Sequence, residues 1–255
     1  MSNTALQGKT VVIIGGSSGI GLATAQRVVA DGANRAVFSV LQQPALWQAL
    51  WTSVRIAAGS GLLCVILTMM LLWSSRELRL RQHNGWAQAM DLSGMLILAM
   101  PGIVLATGFF LLLSDTFGLP QSPWALVMLT NALMAVPYAL KVLDNPMRDV
   151  AERYNPLCLS LDMHGWQRLR WVELSALKRP LTQALAFACV LSLGDFGVIA
   201  LFGNENFRTL PFYLYQQIGS YRSQDGAVTA LLLLLLCFLL FTLIEKLPGR
   251  HADAE

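Results

Sequence analysis

The chain has 255 residues, of which 55% are hydrophobic and only 13% are charged, and its mean hydropathy is +0.54. Soluble domains carry about 25% charged residues, so a compact globule cannot hide this much apolar surface, and a lipid bilayer is its natural solvent. The small net charge of +3 argues against a nucleic-acid-binding protein. Four cysteines without a C-x-x-C pair argue against a disulfide framework or a metal site.

A short N-terminal segment differs in character from the rest. Residues 10–14 form a β-type run, glycines follow at Gly15, Gly19 and Gly21, and residues 22–30 have helical composition. A strand, a glycine-rich turn and a helix form the context in which a backbone binds a pyrophosphate. The G-x-x-x-G-x-G spacing resembles the opening of short-chain dehydrogenases, and these three glycines are the candidate cofactor-binding residues.

This resemblance covers residues 1–34, roughly one βα unit of a domain that needs about six or seven strands. The chain has no Tyr-x-x-x-Lys pair, and an isolated βα unit cannot bury its own apolar face. Two interpretations stay open. We prefer a remnant or fusion scar without a cofactor; the alternative is a membrane-anchored NAD(P)-dependent dehydrogenase, which tight, saturable NAD(P)H binding would favour.

Five apolar stretches follow, each with about the 18–22 residues that a helix needs to cross roughly 30 Å of hydrocarbon. They are residues 56–73, 92–113, 123–143, 181–202 and 227–244. One such stretch is compatible with a buried helix of a soluble protein, but five in one short chain predict an all-α polytopic membrane protein.

Positive residues predict the orientation of these spans, because they concentrate in cytoplasmic loops. They lie after the first span, between the third and fourth, and in the tail: Arg76, Arg79, Arg81, Arg148, Arg153, Arg168, Arg170, Lys178, Arg179, Lys246 and Arg250. Five spans with an inside C-terminus place the N-terminus outside, although Lys9, Arg27 and Arg35 would then have to cross. The conflict favours an N-terminal piece that did not evolve with the membrane domain.

The cytoplasmic connection at residues 144–179 is long, and long ordered connections usually serve a function. From residue 161 it reads Leu-Asp-Met-His-Gly-Trp-Gln-Arg-Leu-Arg-Trp-Val-Glu-Leu. This resembles the "EAA" loop of ABC-importer permeases. Asp162 stands at the glycine of the family pattern, Val172 at its isoleucine, Leu174 at its leucine and Ser175 at its proline, so the spacing holds while several signature residues differ.

Such a loop docks a short helix into a groove of a cytoplasmic ATPase, and it needs apolar anchors flanked by basic residues. The predicted anchors are Leu161, Trp166, Leu169 and Val172. Arginines and a lysine beside them are expected to contact the partner or lipid headgroups. The alternative is an ordinary cytoplasmic loop with snorkelling arginines. The complete candidate coupling set is Leu161, Asp162, Trp166, Arg168, Leu169, Arg170, Val172 and Leu174, with Lys178 as a further basic contact.

A second signature lies at residues 191–197, which read Leu-Ser-Leu-Gly-Asp-Phe-Gly. It resembles the Ser-Leu-Gly-Glu-Phe-Gly segment of permeases for thiamine, iron, sulfate and molybdate, and Thr-Leu-Pro at residues 209–211 follows at the family spacing. Longer stretches, including residues 207–217, are similar to the C-terminal half of the permeases of bacterial thiamine ABC importers. That resemblance covers about residues 37–255.

The resemblance implies a type I (MetI-like) permease half at residues 37–250, a multi-pass location in the bacterial inner membrane, and import of thiamine, with its phosphates as further candidates. The implied partners are a cytoplasmic ATPase that binds the ATP, a periplasmic thiamine-binding protein and a second permease half. The chain itself is expected to be no enzyme and to hold no cofactor or metal.

Since the dehydrogenase-like piece stands where the permease half should have its first helix, a non-functional fusion product is the alternative. Complementation would distinguish the two interpretations.

Two polar residues lie inside predicted spans, where polar groups are costly. Asp195 in the fourth span is a candidate for the translocation path or gate; a carboxylate that caps a broken helix or faces interfacial water is an equal alternative, and the neighbouring Gly194 and Gly197 favour a local break. Asn131 in the third span is a second path candidate, although a hydrogen bond to a neighbouring helix is the favoured interpretation.

Overall fold

The computed structural model describes residues 40–80, 83–117, 123–163, 165–203, 207–221 and 223–246. The predicted βα unit at residues 1–34, with Gly15, Gly19 and Gly21, lies outside these residues. Lys9, Arg27 and Arg35, which bear on the side of the membrane where the N-terminus lies, also fall outside these residues. Both interpretations of this segment therefore stay predictions.

Helices account for most of the described residues, as the composition predicts. In chain order they are α1 (Pro44–Leu80), α2 (Asn84–Leu96), α3 (Gly102–Phe117), α4 (Pro123–Ser160), α5 (Lys178–Gly194), α6 (Gly197–Phe202), α7 (Leu210–Gly219) and α8 (Ser223–Lys246), with shorter helical turns at residues 97–99 and 165–176. Three of them, α1, α4 and α8, are long and apolar enough to cross a membrane, and α2 with α3 forms a fourth candidate bent by 104°. The prediction of an all-α polytopic membrane protein is confirmed.

The predicted span at residues 92–113 is divided in the structure rather than continuous. A 3₁₀ turn, Ile97–Ala99, ends the first part, Met100 is extended (φ −105°, ψ 128°), and α3 begins after Pro101. Proline has no backbone N–H and forces the residue before it out of the helical region. Pro101 therefore bends this apolar stretch.

The predicted span at residues 181–202 is also divided, into α5 and α6. Asp195 is extended (φ −73°, ψ 121°), and its Oδ1 accepts a hydrogen bond from the Gly197 backbone N–H at 3.2 Å. A carboxylate that bonds the N–H two residues ahead offers the backbone an alternative to the helix. Asp195 thus caps the start of α6, which was one of the two interpretations of this residue.

The helix α4 is much longer than the predicted span at residues 123–143. Its 38 residues extend for about 57 Å at 1.5 Å each, roughly twice the hydrocarbon thickness. Residues 144–160, assigned to the cytoplasmic loop by their charge, are therefore helical. The connection that leaves the helical rod begins only at Leu161.

The chain divides into two compact units: Met1–Val54 with Phe202–Leu236, and Arg55–Leu201 with Cys237–Glu255. In the first unit, Leu46 and Ala49 of α1 form a buried cluster with Leu210 and Tyr213 of α7 and with α8. Ser53 supports this cluster, because its Oγ accepts the Leu210 N–H at 2.8 Å and satisfies an orphan donor at the α7 N-terminus.

The second unit is built around α1, α4 and α5. Small residues line its core, among them Ala132, Ala135, Ala139, Ala184 and Ala188. Gly61 lies at a close approach of α1 to α5, since a Cβ there would lie 2.5 Å from Cys189 Sγ. Small residues let helix backbones approach closely in a membrane, where van der Waals packing drives association.

Candidate functional site

The predicted coupling segment starts where α4 ends at a left-handed residue. Asp162 has φ +50°, its N–H donates to the Leu159 carbonyl at 3.3 Å, and the Met163 N–H donates to the Cys158 carbonyl at 2.9 Å. This pair of bonds is a Schellman motif, which usually places glycine at the left-handed position. The glycine of the family pattern therefore corresponds to a backbone requirement, which aspartate meets here at some conformational cost.

The chain then re-enters a helical conformation that is not uniform. Gly165–Arg168 forms an α-helical turn, Leu169–Glu173 forms a π-helical turn, and Leu174–Ala176 returns to the α form. The Leu174 N–H donates to the Leu169 carbonyl, five residues back. Single π-turns are rare and often mark functional sites. We call residues 165–176 the docking segment.

Several apolar side chains of this region are exposed. Leu161 is 60% exposed, Trp166 65%, Trp171 70% and Leu174 45%. Outside a membrane, proteins rarely leave large apolar side chains clustered at the surface without a partner. Sequence reasoning named all of these except Trp171, whose sequence signal, a second tryptophan five residues after Trp166, was available.

The other predicted coupling residues differ in exposure, and some of the exposed ones also contact side chains of this chain. Leu169 and Val172 are only half-buried, and Asp162 and Arg170 are exposed. The Arg170 guanidinium lies 5.9 Å from the Trp171 ring centroid, a cation–π distance. Trp166 also packs edge-on against Trp73 of α1, with ring centroids 6.5 Å apart.

Arg168 has partners inside the chain instead of the expected contact with a partner protein or headgroups. It is only 6% exposed. Its Nη1 donates to Asn155 Oδ1 at 2.9 Å, its Nη2 to the Ala151 carbonyl at 3.1 Å, and its Nε to Glu173 Oε1 at 3.0 Å. The first two acceptors belong to α4, so Arg168 fastens the docking segment to that helix.

Glu173 is the centre of this arrangement, and sequence reasoning missed it. Its side chain is fully buried, and Oε1 contacts Arg76 of α1 as well as Arg168. A buried carboxylate needs such partners, because burial of an isolated charge is very costly. The available signal was a lone glutamate in the apolar run Trp-Val-Glu-Leu.

Further ion pairs lie beside this network, around a pocket of about 270 Å³ between α1 and α4. Arg148 binds Asp144 through two bonds of 2.9 Å, and Arg79 pairs with Asp91 of α2. Both pairs are partly exposed, so each contributes little to stability. The first pair lies within α4, one turn apart, and the second joins α1 to α2.

The two polar residues of the predicted spans take different positions. Asn131 is 4% exposed and donates from Nδ2 to Ser192 Oγ of α5 at 2.9 Å. Its Oδ1, like Asp195 Oδ2 at the α5–α6 break, has no hydrogen-bond partner among the described residues. The favoured hydrogen bond between helices is present, and the role of both residues in a translocation path stays a prediction.

No metal site is found in the described part of the chain, where no three His, Cys, Asp or Glu residues lie close enough together to hold an ion.

The sequence is similar to known transport proteins over most of its length. It is 74% identical to the thiamine transport system permease protein ThiP of Salmonella typhimurium and 73% identical to that of Escherichia coli K12, each over 228 residues, which is 89% of this chain and 42% of the relative. The Haemophilus influenzae ThiP is 44% identical over 217 residues, 85% of this chain and 40% of the relative. No family model matches the chain.

The chain thus spans about two-fifths of the length of the curated relatives it matches. These relatives are named as transport permeases. The long apolar helices of this chain are those expected of a membrane protein of that kind. The prediction of a multi-pass protein of the bacterial inner membrane is confirmed. Across 89% of its sequence, this chain resembles part of the thiamine transport system permeases, and it has the all-helical membrane fold expected of them.

Proposed function

We propose that this chain is a permease half of an ABC importer that carries thiamine, and with it thiamine phosphates, into the cell. The observation that carries the proposal is 74% identity over 228 residues to a thiamine transport permease. A periplasmic binding protein delivers the substrate, two ATPase subunits bind and hydrolyse the ATP, and a second permease half completes the path. The chain itself performs no covalent chemistry and needs no cofactor.

The docking segment supports the coupling part of this proposal. Trp166, Trp171 and Leu174 present exposed apolar surface beside the exposed Arg170. Buried tryptophan and arginine side chains supply most of the binding energy in many protein interfaces. A rigid helical segment with these side chains fits the groove of a cytoplasmic ATPase.

Complementation tests the transport activity. A strain that lacks its thiamine permease but retains the cognate ATPase and binding protein receives this chain, alone and together with a separate first permease half. Uptake of radiolabelled thiamine above the vector control supports the proposal. Absence of uptake in both arms, with the protein present in the membrane, supports the alternative of a non-functional fusion product.

Substitution of the exposed tryptophans tests the docking surface. Trp171→Ala and Trp166→Ala are each expected to weaken co-purification of the ATPase by about tenfold or more, because interface tryptophans commonly contribute 2 kcal/mol or more. Trp86→Ala is the matched control, since Trp86 is 72% exposed on α2, outside the segment. Unchanged co-purification for both docking variants contradicts the assignment of this surface.

A further inference from the structure

We propose that Glu173 is a positioning residue that ties the docking segment to α1, so that movement of a docked ATPase reaches the membrane helices through the Arg76–Glu173–Arg168 triad. The inference rests on the proposed coupling function and deepens it. It concerns a residue whose side chain is fully buried and cannot touch the partner. Its effect must therefore pass through its two arginine partners.

The π-turn is what brings the triad together. Arg168 and Glu173 are five residues apart, a spacing that puts side chains about 140° apart around an α-helix. In a π-turn the backbone bonds join residues i and i+5, which brings these two towards the same face of the segment. The Leu174 N–H bond to the Leu169 carbonyl is such a bond. Rewinding the turn to the α form would swing Glu173 away from Arg168.

The triad connects the docking segment to two different helices, α1 and α4. Arg168 donates to Asn155 and to the Ala151 carbonyl of α4, and Glu173 contacts Arg76 of α1. The edge-on contact of Trp166 with Trp73 is a second link from the segment to α1. The docking segment therefore cannot shift without pulling on α1 and α4 or breaking a buried ion pair.

The charge balance makes Glu173 the critical member. Arg76, Arg168 and Glu173 are 8%, 6% and 0% exposed, and the single carboxylate faces both guanidinium groups. Removing it leaves two buried cations near each other, with only the partly exposed Glu77 3.8 Å from Arg76, and this is far more costly than the loss of a surface pair. Removing Arg76 instead leaves a balanced Arg168–Glu173 pair and cuts the ion-pair link to α1, while the Trp166–Trp73 contact remains.

The first experiment measures the order of the segment without any partner. The full chain in lipid nanodiscs is digested with trypsin, and cleavage after the exposed Arg170 and Lys178 is followed over time. Glu173→Gln is expected to cleave about tenfold faster or more, because breaking a buried pair opens the local structure. Glu152→Gln, which removes an exposed carboxylate of α4, is the matched control and should cleave like the unaltered chain. Equal rates for Glu173→Gln and this control overturn the inference.

The second experiment measures coupling in the assembled transporter, with its ATPase and binding protein in proteoliposomes. Arg76→Gln keeps the balanced pair, so it is expected to fold and to hydrolyse ATP within about twofold of the unaltered rate, while thiamine imported per ATP falls about tenfold. A merely structural role for Arg76 would lower both rates together and leave their ratio unchanged, and that result overturns the inference.

The two proposals fail separately. If the unaltered complex neither binds the ATPase nor imports thiamine, the proposed function is wrong, whereas the trypsin comparison still decides whether Glu173 holds the segment. If the unaltered complex imports thiamine and Arg76→Gln imports the same amount per ATP, the function stands and the triad does not transmit movement.

Discussion

The hydrogen bond between Asn131 and Ser192 separates the structural and functional interpretations of Asn131. Asn131 uses one of its two donors for Ser192 Oγ at 2.9 Å, and its Oδ1 has no partner among the described residues. Asn131→Ala removes this bond, whereas Ser192 is free to bond a carbonyl of its own helix. Bonds between membrane helices are worth about 0.6 kcal/mol on average and about 1.7 at most. We expect a loss of about 1 kcal/mol in the free energy of unfolding.

A double-mutant cycle isolates this term. Asn131→Ala, Ser192→Ala and the double variant are unfolded reversibly in bicelles, and the coupling free energy is expected between about 0.5 and 1.7 kcal/mol. Thr130→Ala is the matched control, because the buried Thr130 hydroxyl bonds the Leu126 carbonyl of its own helix at 2.9 Å. It should show no coupling to Ser192. A coupling near zero for Asn131 and Ser192 refutes the structural argument.

The same variants test the translocation path. If Asn131 also contacts the substrate, thiamine uptake by Asn131→Ala falls more than about tenfold, which is more than 1.4 kcal/mol in transition-state terms and exceeds what the small loss of stability explains. Uptake by Thr130→Ala should stay near that of the unaltered chain. Normal uptake by Asn131→Ala would contradict the path assignment and leave helix packing as its role.

Three further substitutions test the packing and the turns. Asp162→Gly should raise the free energy of unfolding by about 0.5–1 kcal/mol in the same bicelle assay, because glycine adopts the left-handed position without penalty; an unchanged or lowered value contradicts this. Gly61→Leu should lower the free energy of unfolding by about 1–3 kcal/mol or abolish folding, because the new side chain meets Cys189. Unchanged stability would show that α1 and α5 do not meet there. Ser53→Ala should cost about 1 kcal/mol by leaving the buried Leu210 N–H without its acceptor; exchange of that amide should accelerate, and unaltered protection would refute the bond.

Charge and apolar length account for what could be predicted about the membrane helices. The apolar stretches at residues 123–143 and 227–244 lie within α4 and α8, because a run of that length has no other stable environment. The extension of α4 beyond residue 143, as far as Ser160, was not predictable from hydropathy. The charged turns of α4 beyond residue 143 are the ones on which the docking segment packs, through the Arg168 bonds to Asn155 and to the Ala151 carbonyl.

The breaks were only partly predictable. Pro101 indicates a bend by its chemistry, but the angle of 104° depends on the surroundings of α2 and α3. Asp195 allowed two interpretations from the sequence; the structure shows the hydrogen bond to Gly197 that the capping interpretation requires, and the translocation-path role stays a prediction. Neighbouring glycines permit such a break without requiring it.

The candidate coupling residues were also predictable only in part from the sequence. The sequence by itself determined a membrane-embedded, all-helical chain and predicted Leu161 and Trp166 as apolar anchors of a coupling segment, because hydropathy and motif spacing are local properties. Only the tertiary structure decided that Arg168 faces inward and that Glu173 joins it to Arg76, 97 residues earlier in the chain. A charged side chain looks the same in a sequence whether it meets water or a buried partner, and a partner on another helix exists only once the helices have packed.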